Sequence, residues 1–433
     1  MRRGAAVSAR RGRLAGLGLG LALLGLALWV GWTDRLPPSA PSTSPAQSTA
    51  QPAAERLARG AYVARLGNCA ACHTAPGGTP LAGGRAIATP FGSVVAGNLT
   101  PDPATGLGRW NADDFWRALH HGRSRDGRRL SPAFPYAEFS HIARDDADAL
   151  FDWLRAQPAA PQPAAPPGAG LRWPFGSQPA LALWRALFFR PAPTLAQAPA
   201  MAATAERGAY LVRGLGHCAS CHAPRNRLGA TLDAAALAGG LMPMGDWQAP
   251  ALACGAGDGD SPAAQARLLG LLKTGTSARD SVAGPMAEVV LRSTQHWHDE
   301  DLRALVLHLA RLGPCPPPRP SPPEAPQDQR ELGQRLYGRL CADCHGAQGE
   351  GRPGAYPALA GNRSVNLPSA LNLVQLLRHG GFAPSTAGHP QPHGMPPQLL
   401  GDAEIAAVAS FVRQSWGNRA RAVDWIEVSP MAR

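Results

Sequence analysis

Cys69-Ala70-Ala71-Cys72-His73, Cys218-Ala219-Ser220-Cys221-His222 and Cys341-Ala342-Asp343-Cys344-His345 are three copies of one pentapeptide pattern in a chain of 433 residues. The spacing is that of covalent attachment of a c-type haem. Two thiols three positions apart can add across the two vinyl groups of a porphyrin, and the adjacent imidazole reaches the iron from one face. A zinc site would need a second ligand pair at matching distance in each copy, and the sequence provides none. A redox dithiol has no use for a histidine that follows every time. The pattern predicts three covalently bound haem c groups. Cys69, Cys72, Cys218, Cys221, Cys341 and Cys344 are the anchors, with His73, His222 and His345 on the irons.

Length and charge fit that reading. The chain is long enough for about three domains. Its formal net charge is +12, with Lys273 the only lysine. The basic residues are scattered and no aromatic-basic binding motif accompanies them, so no nucleic-acid partner is expected. Arginine suits planar carboxylates, and each haem would bring two propionates. Two cysteines stand outside the motifs, Cys254 and Cys315. In an oxidising compartment they are expected to pair; the alternative is two separate buried thiols.

Residues 14–32 carry no charge and follow Arg2, Arg3, Arg10, Arg11 and Arg13. As a helix they would span about 28 Å, roughly the hydrocarbon thickness. The flanking arginines would keep the N-terminus cytoplasmic. The run is long for a cleaved signal peptide and no small-x-small site follows it closely, so an uncleaved anchor is preferred. These features predict a chain held at the bacterial inner (plasma) membrane, with haem domains on the periplasmic side. Residues 1–32 are then a basic tip and anchor, and 33–54 a Pro/Ser/Thr/Ala linker.

A degenerate repeat follows. Arg59-Gly60-Ala61-Tyr62 precedes the first motif and Arg207-Gly208-Ala209-Tyr210 the second, while Gly333 and Tyr337 precede the third. Closing helices are predicted over 144–156, 298–312 and 402–414, each with acidic residues in its first turn and apolar residues at three- and four-residue spacing. Haem domains are therefore expected over 55–157, 204–313 and 328–433, joined by a segment over 158–203 and a Pro-rich linker over 314–327. Residues 171–190 are too aromatic for a free linker and read as packing between the first two domains, or else as a docking surface.

The sixth iron ligand separates the three. Met395 is the only methionine between the third motif and its closing helix. In the second unit Met286 holds the matching place, whereas Met242 and Met244 follow the motif much sooner and read as pocket wall. The first unit has no methionine, and Phe134 stands at the matching distance. Phenylalanine cannot ligate iron. His141, His120 or His121 could, or the iron could be five-coordinate.

Several stretches together resemble the triple-haem cytochrome c subunit of membrane-bound bacterial dehydrogenases of the alcohol, gluconate and aldehyde type. They are residues 59–110, beginning RGAYVARLGNCAACH, then DGRRLSPAFPY (126–136), GPMAEVVLRSTQHWHDEDL (284–302) and GMPPQLLGDAEIAAVASFVRQSWGN (394–418). The resemblance implies an all-α chain of three cytochrome c-like domains in series after an N-terminal transmembrane helix. It also implies a catalytic dehydrogenase partner (quinoprotein, flavoprotein or molybdenum enzyme), ubiquinone as electron acceptor, and Met286 and Met395 as distal ligands. Where many members have Met, this chain has Phe134; after Ala249-Pro250 it departs again, through Cys254. No dinucleotide fingerprint or nucleophile–base pair stands out, so catalysis is expected on the partner. Two rivals remain: a free-standing carrier between quinol and oxidase, and a peroxidase-like enzyme using an open first haem with His120, His121 or Arg123 beside it.

Overall fold

Residues 24–25, 28–34, 52–162, 168–252, 261–313 and 322–429 are described by a computed structural model. They are mostly helical and repeat one arrangement three times. A leading helix (Ala53–Leu66) runs into a short motif helix (Cys69–His73) and is crossed by a closing helix (Arg144–Arg155). The second unit uses Ala205–Tyr210, prolonged by a π-helical turn over Leu211–Leu215, then Ala219–His222 and Asp299–Ala310. The third uses Gln327–Leu340, Ala342–His345 and Asp402–Gln414. Cys254 and Cys315, and with them the expected disulfide, lie outside the described residues.

The glycine of each repeat explains the crossing. A Cβ on Gly60 would lie 2.0 Å from the carbonyl oxygen of Ala149, on Gly208 2.0 Å from that of Ala304, and on Gly333 2.2 Å from that of Ala407. No other residue lets the leading and closing helices approach so closely. The arginine before the glycine ties the same helices together in the first two units. Arg59 pairs with Asp145 and Asp146, both at 2.7 Å, and Arg207 holds the buried Asp301 with both ends of its guanidinium at 2.8 Å. Acidic residues in the first turn of the first two closing helices thus complement the helix dipole and anchor the crossing.

Among the described residues three small antiparallel strand pairs complete the units: Ala86–Thr89 with Gly92–Val95, Gly240–Leu241 with Gln248–Ala249, and Gly381–Phe382 with Gly394–Met395. Buried apolar side chains fall into two clusters. One is continuous through the first two units, from Val63, Leu66 and Leu150 to Leu211, Leu215 and Leu305. The other belongs to the third unit and contains Leu336, Tyr337, Val374, Ile405 and Val412. Each fully buried leucine stabilises its cluster by about 1.5–3 kcal/mol. Residues 171–190 contact both of the first two units. Helix Gln178–Phe188 sends the Trp184 indole to Leu228 O at 2.8 Å, and the Phe189 ring meets Tyr136 edge-on at 4.8 Å.

The N-terminal expectation is corrected. Among the described residues no helix is long and apolar enough to cross a membrane. The anchor expected over 14–32 is therefore not supported, nor the inner-membrane placement with a periplasmic face that rested on it. Residues 14–23 lie outside the described residues, whereas 28–33 are helical and end at Asp34, a charged group engaged by protein. Its buried carboxylate meets Arg123 and Arg129 at 2.6 Å and Arg185 at 2.9 Å. Burial alone would raise the Asp34 pKa, but hydrogen bonds from Arg185 and Arg129 hold it below the usual carboxylate value.

Candidate functional site

Each motif begins where the leading helix breaks. Asn68 and His217, just before Cys69 and Cys218, take positive φ values of 50° and 36°, which turn the chain sharply into the motif. The histidines are then fixed in one way. His73 Nδ1 lies 2.7 Å from Gly97 O, His222 Nδ1 2.7 Å from Pro250 O, and His345 Nδ1 2.9 Å from Pro357 O. A carbonyl only accepts, so Nδ1 carries the proton in all three. Nε2 is left with its lone pair free for a metal. Burial lowers the pKa of all three rings, opposed by the same backbone bond, and keeps them neutral.

The cysteines fit thioether anchors better than redox thiols. None of the six motif cysteines is in a disulfide and none is fully buried; Cys72 and Cys344 are exposed. Burial pushes the Cys69 and Cys218 thiols up to about 12 and Cys341 up to about 11, with the neighbouring motif cysteine adding to it. A thiol–disulfide catalyst needs the opposite shift. Among the described residues no group of three or more His, Cys, Asp or Glu is placed to hold a metal ion unaided. A cavity of about 1760 Å³ opens beside the first motif, lined by Cys69, Cys72, His73, Ile142, Leu150 and many further apolar side chains, and reaching Cys221 of the second. A flat, mostly apolar macrocycle fits that lining and the exposed edge of the thiols.

The far walls differ. Phe134 lines the first cavity, its ring 5.4 Å from that of Phe139. Of the three candidate histidines only His141 lines it. His120 is buried against Trp116 and His121, with neither ring nitrogen hydrogen-bonded. Arg123 is turned to Asp34 and the carbonyl of Gly127. The groups that a peroxidase-like first haem would need are therefore not gathered at this cavity. Met286 and Met395 are partly buried and pack against the two apolar clusters, Met395 on the strand Gly394–Met395. Met244 is exposed, and with Met242 lines the first cavity.

Two further sets of residues were missed by sequence reasoning. Gly83, Gly239 and Gly351 each donate their N–H at 2.8 Å to the carbonyl of the motif histidine. All three have positive φ, and a Cβ on any of them would strike the backbone that receives the histidine proton or its direct neighbour at 2.6 Å. Arg85, Arg225 and Arg352 each donate to the carbonyl of the third motif residue: Ala71, Ser220 at 2.5 Å and Asp343 at 3.3 Å. Arg85 also pairs with Glu288 at 2.7 Å and so ties the first motif to the helix that carries Met286. Only an unequal spacing from the motifs stood between these residues and recognition as repeats.

Paired cysteines, a neutral histidine with one free nitrogen and a helix crossing at glycine define a c-type cytochrome. Residues 331–416 match the family described as Cytochrome c. The chain is 36% identical to the cytochrome c subunit of the quinone-dependent alcohol dehydrogenase of Gluconobacter oxydans (strain 621H), over 86% of this chain and 81% of that one. It is 33% identical to the gluconate 2-dehydrogenase cytochrome c subunit of Pantoea cypripedii, over 84% of this chain and 86% of the other. It is also 31% identical to the fructose dehydrogenase cytochrome subunit of Gluconobacter japonicus, over 84% of this chain and 79% of that protein. The chain belongs to the family of cytochrome c subunits of dehydrogenase complexes. It is an electron-transfer subunit with covalently bound haem c, and the catalytic chemistry resides on a partner subunit.

Proposed function

We propose that this chain carries three haem c groups, in domains over 55–157, 204–313 and 328–433, and passes electrons from a dehydrogenase subunit to ubiquinone. The observation that carries the reading is the same Nδ1–carbonyl bond at His73, His222 and His345. Bound haem supplies a one-electron iron couple. The protein supplies the rest. Cys69, Cys72, Cys218, Cys221, Cys341 and Cys344 fix three macrocycles. Backbone carbonyls raise the donor strength of three imidazoles. Apolar walls keep water from the irons. Met286 and Met395 serve as distal ligands in the second and third domains. In the first, Phe134 takes that side, leaving an iron without methionine.

The partner's class stays chemical: a quinoprotein, flavoprotein or molybdenum subunit whose substrate chemistry releases electrons. Ubiquinone as acceptor is favoured by the quinone-dependent alcohol dehydrogenase among the relatives. Purifying the tagged chain from its native cells tests the proposal. A stoichiometric dehydrogenase subunit is expected, and adding its substrate should reduce the haem bands, which a ubiquinone analogue then reoxidises. A lone chain whose haems no candidate substrate reduces would contradict it.

A further inference from the structure

The seam between the second and third units ties each unit's motif histidine to the other unit. The segment Gln248–Ala251 supplies Pro250 O, which receives the proton of His222 Nδ1. That segment is held from the third unit. Asn372, itself buried, accepts from Gln248 N and donates to Gln248 O, both at 2.8 Å, as a strand would, and Arg363 donates to Ala251 O. The converse also holds. Pro357 O receives the proton of His345, and the next residues, Ala358–Ala360, are held from the second unit. Ala358 N donates to Arg279 O at 2.9 Å, and the Arg279 guanidinium donates to Ala360 O at 2.8 Å.

The first unit lacks this dependence. The segment after Gly97 O is braced by its own chain. Asn98 Oδ1 accepts from Thr100 N at 2.8 Å, and Asn98 Nδ2 donates to Thr105 at 3.0 Å and Ala160 O at 2.8 Å. Among the described residues of the second unit, Leu252 N donates to Leu237 O at 2.8 Å and Gln248–Ala249 pairs with Gly240–Leu241, while the side-chain bonds to this stretch come from across the seam.

We propose that the second and third units tune each other's irons by bracing, reciprocally, the backbone that holds the other's proximal histidine. Asn372 and Arg363 act on His222, and Arg279 on His345, as positioning residues. The proposal rests on the assignment of His222 and His345 as iron ligands. A firmly placed carbonyl strengthens its bond to Nδ1–H, makes the imidazole a better donor and favours the oxidised iron. The step between these two haems therefore depends on how the two units dock.

Spectroelectrochemical titration of the full chain tests this, with haem content and low-temperature EPR measured on the same samples. Asn372→Ala should raise the midpoint potential of the second haem and alter its g-values. Arg279→Ala should do the same to the third, and the first should keep its potential in both. Unmoved or lowered potentials in both variants, with three haems retained, would overturn the proposal, as would an equal shift of all three haems. Should Asn372→Ala fail to retain its haems, Arg279→Ala alone decides between these outcomes. A wild-type chain with fewer than three haems would defeat the ligand assignment instead, so the two failures are distinct.

Discussion

The phenol of Tyr62, in the first unit, donates to the buried carboxylate of Asp301, in the second, at 2.8 Å. Its counterpart Tyr210, in the second unit, donates to Asp146 of the first at 2.6 Å. The tyrosines of the two Arg-Gly-Ala-Tyr repeats are thus exchanged across the seam, each reaching the acidic residue that the other unit's arginine already holds. This reciprocity explains why the first two units share one apolar core. Tyr337 of the third unit instead donates to Gly346 O, just after its own motif, at 2.6 Å, and that unit keeps a core to itself.

Tyr62→Phe should cost about 1–2 kcal/mol, because Asp301 keeps both bonds to Arg207. Urea titration followed at the absorbance of the haems should show the first two destabilised together. Asp301→Asn should cost about 3–5 kcal/mol, since a buried guanidinium loses its counter-charge.

The helix Gln327–Leu340 carries two glycines of opposite consequence. A Cβ on Gly333 would overlap Ala407 O, whereas one on Gly338 meets nothing within 4 Å. Gly333→Ala should destabilise the third unit by about 1–3 kcal/mol or more, by forcing the crossed helices apart. Gly338→Ala should stabilise it by about 0.5–1 kcal/mol through helix propensity. Thermal melts of the two variants, compared with the parent, check both signs.

These contrasts also mark what the sequence made legible. The motifs, the glycine–tyrosine repeat and the closing helices were readable, because each has a fixed spacing or a helical period; the observed Arg144–Arg155, Asp299–Ala310 and Asp402–Gln414 fall close to the expected ranges. The carbonyls of Gly97, Pro250 and Pro357 were not. Backbone acceptors have no residue type, and they follow their histidines at unequal distances. The seams were equally hidden, since Tyr62 and Asp301, or Asn372 and Gln248, meet only through folding. The apolar run at 14–32 carried a strong pattern, yet the described helix there stops at Asp34, which Arg123 and Arg129 of the first unit and Arg185 of the segment after it capture.

Acid should weaken the first unit. Burial pulls His120 down to about 3, with the charges of His121 and His141 adding to it, and His121 down to about 4, with Arg185, Arg123 and Arg117 adding. His141 is lowered as well, first by burial and then by Arg213. Trp116 is stacked on His120, and Asp34 binds the same arginines. The rings stay neutral when folded but take up protons near 6.5 once unfolded. Stability is therefore full above pH 6.5 and falls as pH drops towards about 4 and then 3. Each group contributes up to about 1.4 kcal/mol per pH unit. Urea midpoints measured through that window should fall, and His120→Leu should flatten the slope.

Phe134→Met should supply the first iron with a thioether ligand. The parent is expected to contain one ferric haem whose spectrum differs from two low-spin His/Met centres. The variant should convert it to a third such centre with a raised potential. Ferric EPR and near-infrared spectra read the change directly. A parent with three equivalent His/Met centres would contradict the assignment of Phe134.

The central claim is that three motifs hold three haems. The measurement that tests it most directly is the intact mass of the chain produced with a c-type haem maturation system. Beside it, the paired variants Cys69→Ala/Cys72→Ala, Cys218→Ala/Cys221→Ala and Cys341→Ala/Cys344→Ala are weighed in the same way. Three covalent haems in the parent and two in each variant are the predicted result. A parent with two or fewer, or a motif whose loss leaves the count unchanged, would contradict it.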